Sequence, residues 1–100
     1  MRYYAITSTE APNAVDNRLA NHMTHIARIH ALQEEGRLLI AGAFPAIDSE
    51  DPGPAGFSGG VVVAKFSCLD AAKMWAHADP YWQAGVYIKV EVTPFNKVAP

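Results

Sequence analysis

The order of elements in this chain predicts an α+β fold of the βαββαβ, ferredoxin-like kind, a four-stranded antiparallel sheet with two helices on one face. Three observations predict it. Four short segments are rich in β-branched and aromatic residues, and stretches of helical length fill the first and third gaps between them. Gly36 and the pair Asp79-Pro80 stand where those helices must stop. The last segment alternates apolar and polar residues, as a strand with one buried face does.

Residues 2–8, Arg2-Tyr3-Tyr4-Ala5-Ile6-Thr7-Ser8, are aromatic and β-branched and too short for a helix, so they form the first strand. A turn over residues 9–13 leads to a helix that starts between Asn13 and Ala20 and runs to about Glu35, with Asn13 or Asp16 as its cap. Gly36 supplies the left-handed residue that ends it. Leu38 to Phe44 is the second strand. Residues 45–60 hold three prolines and four glycines and form a long loop. Gly60 to Phe66 is apolar enough to be a central strand. Ser67 is positioned to cap a second helix from Leu69 to Ala78. Tyr87 to Phe95 is the fourth strand, with Ile88, Val90 and Val92 facing one way and Tyr87, Lys89, Glu91 and Thr93 the other.

The chain of 100 residues is a single domain, residues 1–100, and half its residues are apolar, enough for a core. A net charge of −2 with no Lys/Arg cluster argues against a nucleic-acid partner. One cysteine, Cys68, excludes an intrachain disulfide and fits a reducing compartment. The apolar run Val61–Ala64 falls far short of the roughly 20 residues a membrane span needs. Met1-Arg2-Tyr3 runs directly into a strand with no leader-like apolar region, so the expected location is cytoplasmic, away from membranes. The sheet face opposite the helices keeps apolar area, and a second copy in a symmetric homodimer is the expected cover.

The chemistry-bearing residues gather in two places. Arg18, His22, His25, Ile29 and Leu32 recur at spacings of four, three, four and three, which places them on one helical face. That face is polar at its start and apolar at its end, so His25 sits where the helix enters the core. Partial burial there suits a general acid or base, and it equally suits a packed, hydrogen-bonded histidine. His22 and His30 read as surface or packing residues. His22 and His25 could share a metal only with ligands such as His77 or Asp79, and no HExxH or CxxC spacing supports one.

The second place is the corner Ala78-Asp79-Pro80-Tyr81. Pro80 pushes Asp79 out of helical geometry. Asp79 is then either a helix-stop residue bonding nearby amides or a carboxylate aimed into a cleft. Tyr81 and Trp82 are either walls of that cleft or core and interface contacts. Asp48, Glu50 and Asp51 read as solvated loop residues, and Cys68 as inert.

Longer strings carry a resemblance. Arg18 with His25 seven positions on, Glu35-Gly36-Arg37-Leu38-Leu39, Ala41-Gly42, Pro45-Ala46-Ile47-Asp48-Ser49, Asp51-Pro52-Gly53, Ala55-Gly56-Phe57, Ala78-Asp79-Pro80-Tyr81, Ala84-Gly85-Val86-Tyr87 and Pro94-Phe95 span the whole chain. With them it resembles the YciI-like (YCII-related) family of small bacterial proteins. The resemblance implies a ferredoxin-like domain paired into a dimeric α+β barrel, and an active site of a histidine and an aspartate, which carry over to His25 and Asp79. It implies lyase or dehydrochlorinase-type chemistry on a small molecule. Arg18 is then a contact for an anionic group, and Ser49 and Tyr81 border the pocket. Ala43 stands where relatives usually have proline.

The expected function is therefore small-molecule proton abstraction or elimination by a His25–Asp79 dyad, with no cofactor, since neither a nucleophile nor a GxGxxG loop accompanies it. The alternative is a non-catalytic binding or dimeric accessory protein in which the same pair is structural.

Overall fold

The computed structural model describes all 100 residues. Strand β1 (Arg2–Glu10) leads to helix α1 (Val15–Glu34), strand β2 (Leu38–Pro45), a 3-10 turn (Gly53–Ala55), strand β3 (Phe57–Phe66), helices α2 (Leu69–His77) and α3 (Pro80–Gln83), and strand β4 (Tyr87–Phe95). The strands form one antiparallel sheet in the order β2-β3-β1-β4. This is the expected ferredoxin-like architecture, with the apolar third strand in the interior. The long loop is shorter than its composition suggests, because β3 begins at Phe57 rather than Gly60.

Register explains the core. Tyr4 stands opposite Ala64, and Ile6 opposite Val62 and Val92, so alternate residues of three strands share the helix-facing side. Ile29 and Leu32 of α1 and Ala72 and Ala76 of α2 close over them, joined by Phe66. Burying a side chain such as Leu32 contributes about 1.5–3 kcal/mol. The two alanines give α2 a smooth inner surface.

Two expected caps are absent. Ala14 occupies the cap position of α1 without a side-chain bond, while Asn13 takes a left-handed φ of 59°. Cys68, not Ser67, precedes α2, again with no side-chain cap. Gly36 ends α1 at φ 70°, as expected.

The fourth strand differs from its sequence pattern at one end. Val90 and Val92 pack on the core, but Ile88 is 58% exposed. Thr9 pairs with Lys89 and Glu10 with Tyr87, so a bulge leaves Ile88 unmatched. One extra residue reverses the facing, and Tyr87 turns to the helix side. Ile40 (58% exposed) and Phe44 (42%) leave apolar surface on β2.

Candidate active site

His25, Ile29 and Leu32 are the buried residues of α1, so the helix enters the core at His25, where the spacing places it. The Asp-Pro corner supplies the partner. Asp79 is extended (φ −64°, ψ 133°), and Pro80 opens α3 with a φ that suits a first helical residue. The Tyr81 backbone N–H donates to Asp79 Oδ1 at 2.9 Å, capping α3. The same carboxylate faces His25, whose Nδ1 lies 2.8 and 2.9 Å from its two oxygens. His25 is 8% exposed and Asp79 4%.

A buried carboxylate needs compensation. Arg28, one helical turn beyond His25, brings Nη1 to 3.6 Å from Asp79 Oδ2. Its Nη2 donates to the Trp75 carbonyl at 2.7 Å, and its guanidinium lies 4.3 Å over the Trp75 ring. Burial pushes the Arg28 pKa down, and the Asp79 charge opposes that shift. With an ionised carboxylate on Nδ1, the proton of a neutral imidazole belongs on Nδ1, which leaves the Nε2 lone pair available. Nε2 makes no hydrogen bond within the protein.

Aromatic rings fix the imidazole plane. Tyr81 stacks on it with centroids 3.9 Å apart and an interplanar angle of 8°. Tyr87 meets both rings edge-on, at 6.0 Å from His25 and 5.3 Å from Tyr81. The Tyr81 hydroxyl is 3.0 Å from His22 Nδ1. Burial raises the pKa of both phenols.

A cavity of about 380 Å³ lies between α1 and the sheet, and His25, Asp79, Arg18, His22 and Tyr87 line one part of it. Ile6, Ile26, Ile29 and Val62 make its walls largely apolar. Arg18 lies 4.1 Å over the Phe57 ring, with Nε 3.5 Å from Glu10 Oε1. Burial raises the Glu10 pKa, while the charges of Arg18 and His25 oppose the rise.

Of the residues singled out in the sequence, Arg18, His25 and Asp79 meet at this cavity. Tyr81 does not line it: the residue is 1% exposed and spends its ring on His25. Ser49 is elsewhere, in an exposed depression over residues 45–50, with Oγ donating to the Asp51 carbonyl at 3.0 Å. His22 and His30 are exposed, as their surface reading expects, and both also border the cavity. Sequence reasoning missed Glu10, Arg28 and Tyr87. The three-residue step from His25 to Arg28 was a usable signal. Glu10 offered none. No three His, Cys, Asp or Glu side chains converge as a metal site would require.

The YCII-related domain model matches residues 1–96. The chain belongs to the YCII-related family. Protein YciI of Escherichia coli O6:H1 is 50% identical over 95 residues, covering 95% of this chain and 97% of that protein. An uncharacterised protein of Haemophilus influenzae is 53% identical over 96 residues, covering 96% and 98%. Among solved structures, the 5-chloro-2-hydroxyhydroquinone dehydrochlorinase of Burkholderia phenoliruptrix, in complex with 2,5-dihydroxybenzoquinone, superposes with a TM-score of 0.80 at 16% identity, covering 94% of this chain and 93% of that one. An antibiotic biosynthesis monooxygenase superposes with a TM-score of 0.51 at 14% identity, covering 99% and 100%. At such identities these two structures establish the shared fold of this YCII-related chain. No helix in it is long and apolar enough to cross a membrane.

Proposed function

We propose that this YCII-related protein is a small-molecule enzyme in which the His25–Asp79 dyad performs general acid–base chemistry of the proton-abstraction or elimination type. The observation that carries the reading is the geometry of His25: Nδ1 held by both oxygens of a buried carboxylate, Nε2 unbonded, in a side chain lining a cavity. Asp79 fixes the tautomer and steadies the imidazolium that forms when Nε2 takes a proton. Arg18 pairs with the negative charge that the departing proton leaves on the substrate. In an elimination, the electrons of the broken C–H bond form the new double bond as the leaving group departs. The dehydrochlorinase of like fold is named for such a loss, and that likeness supports the reaction class.

A test is NMR-detected solvent exchange and product formation across a panel of small hydroxylated and halogenated ring compounds. Turnover by the wild type that disappears in folded Asp79→Asn supports the enzyme. A second reading draws on the cap: Asp79 Oδ1 also holds the start of α3, so the pair could serve structure in a binding or accessory protein. In that case Asp79→Asn lowers the melting temperature, and no panel member turns over.

The exposed Ile40 and Phe44 support a second proposal, that another copy of the chain covers the open sheet face. Sedimentation at micromolar concentration as a 10.8 kDa species would overturn it.

A further inference from the structure

The cavity floor has a feature that the proton chemistry does not use. Ser8, Gly60 and Ala43 are register partners across β1, β3 and β2, and all three line the cavity. Adjacent strands lie about 4.8 Å apart, so this row of small residues crosses roughly 10 Å of sheet. The neighbouring row, Ile6, Val62 and Ala41, carries two branched side chains. At Gly60 the floor is peptide backbone: a Cβ there would stand 2.8 Å from the Gly42 carbonyl oxygen. Ala43 is exposed and belongs to β2, the edge strand, so it marks the outer end of the row.

Arg18 also lines the cavity. Its guanidinium face is taken by the Phe57 ring at 4.1 Å, and its Nη1 and Nη2, which make no hydrogen bond within the protein, are the donors a ligand can reach. Its Nε is buried without a hydrogen-bond partner, the Glu10 carboxylate standing off at 3.5 Å. Nε is thus closed off on the Glu10 side, and an oxyanion from the cavity would meet the two Nη groups, in the guanidinium plane.

We infer that the cavity takes a planar, ring-bearing anion, its oxyanion on Arg18 and its ring flat on the Ser8–Gly60–Ala43 row, and that Ala43 sets how far the ring system extends. The inference rests on the proposed site, but not on its turnover. A flat ring lies on backbone and small side chains without displacing them, whereas a puckered ring of equal charge meets Ile6 and Val62. A large side chain at position 43 shortens the row from its outer end and leaves Arg18, His25 and Asp79 untouched.

The experiment is an NMR titration of the isotope-labelled protein with benzoate, cyclohexanecarboxylate and 2-naphthoate. The expected result is saturable binding of benzoate and 2-naphthoate, with shifts at Arg18 and Gly60, and cyclohexanecarboxylate weaker by about tenfold. Arg18→Gln should weaken both aromatic acids by about tenfold or more. Ala43→Trp should weaken 2-naphthoate about tenfold and change benzoate by less than about threefold. Ala43→Ile, a strand-forming replacement, carries the same expectation if the tryptophan variant misfolds. Equal binding of the flat and puckered acids, equal effects of position 43 on one and two rings, or no saturation by the aromatic acids would each overturn the inference. Arg18-dependent binding in a protein that turns nothing over keeps it and removes the proposed reaction. Turnover with indifference to position 43 does the reverse.

Discussion

The two ends of the cavity are built in opposite ways. At the inner end, His25, Asp79 and Tyr81 are tied together by hydrogen bonds of 2.8 to 2.9 Å, a stacked ring pair and a helix cap, with Arg28 paired to Asp79 at 3.6 Å and held by the Trp75 carbonyl. At the outer end, Gly42 and Ala43 lie exposed on an edge strand. The inner end is over-determined, with each group held by two or three others. The outer end is defined by what its side chains leave out. Under the proposed function, this contrast would separate two tasks: orientation of the imidazole, which needs rigid partners, and selection of ligand size, which needs only a side chain that can grow or shrink.

Changes at the inner end should have the larger effects. Asp79→Asn should reduce turnover by about 10³–10⁴, because the neutral amide can hold the wrong imidazole tautomer. Circular dichroism should still report a folded protein, since the amide oxygen can accept the Tyr81 N–H. A variant that keeps most of its activity would break the comparison, because the tie to His25 would then be dispensable. Leu32→Ala, in the core beneath the same helix, should cost about 2–5 kcal/mol in urea unfolding by leaving a cavity. A smaller cost would mean that α1 is less firmly seated than the dyad geometry requires.

Arg28→Met should have an intermediate effect, because it leaves the Asp79 carboxylate with one charge partner fewer. The expected result is a loss of about 1–3 kcal/mol of stability, with Nδ1 of His25 still bonded to Asp79 in nitrogen-detected NMR. Loss of that bond would show that Arg28, rather than the corner, orients the carboxylate.

Tyr87 sharpens the comparison through pH. Burial, with the Asp79 charge second, holds its phenol above the ordinary value of 10.0, and burial holds Tyr81 above it as well. The unfolded chain therefore ionises first. The stability these groups contribute is complete below about pH 10 and is lost as the pH rises toward their folded-state values. Tyr87→Phe should make the alkaline fall in the urea midpoint shallower while changing neutral stability by less than about 1 kcal/mol. An unchanged alkaline limb would show that Tyr87 meets solvent. The smallest effect belongs to an exposed residue that only borders the cavity: His30→Ala should leave stability within about 0.5 kcal/mol.

The legible and illegible parts of this molecule divide by distance along the chain. The run of spacings from Arg18 to Leu32 placed His25 at the entry to the core, and the structure has it there. Gly36 and Asp79-Pro80 end their helices because φ preferences and proline sterics are local properties. Caps were less legible: Asn13, Asp16 and Ser67 had suitable side chains, but the chain enters both long helices one or two residues from where they could act.

By itself, then, the sequence determined the element order, the helix stops and the histidine at the core boundary, since periodicity and backbone sterics act over a few residues. Only the tertiary structure decided what those elements bring together. The bulge at Ile88 turns Tyr87 toward His25, and no alternation pattern records a register shift. Glu10 meets Arg18, Tyr81 stacks on His25 instead of facing the cavity, and Ser49 stays outside it. His25 and Asp79 themselves lie 54 residues apart. Their contact exists because α1 and the corner before α3 pack over the same sheet, and packing is a property of the whole chain.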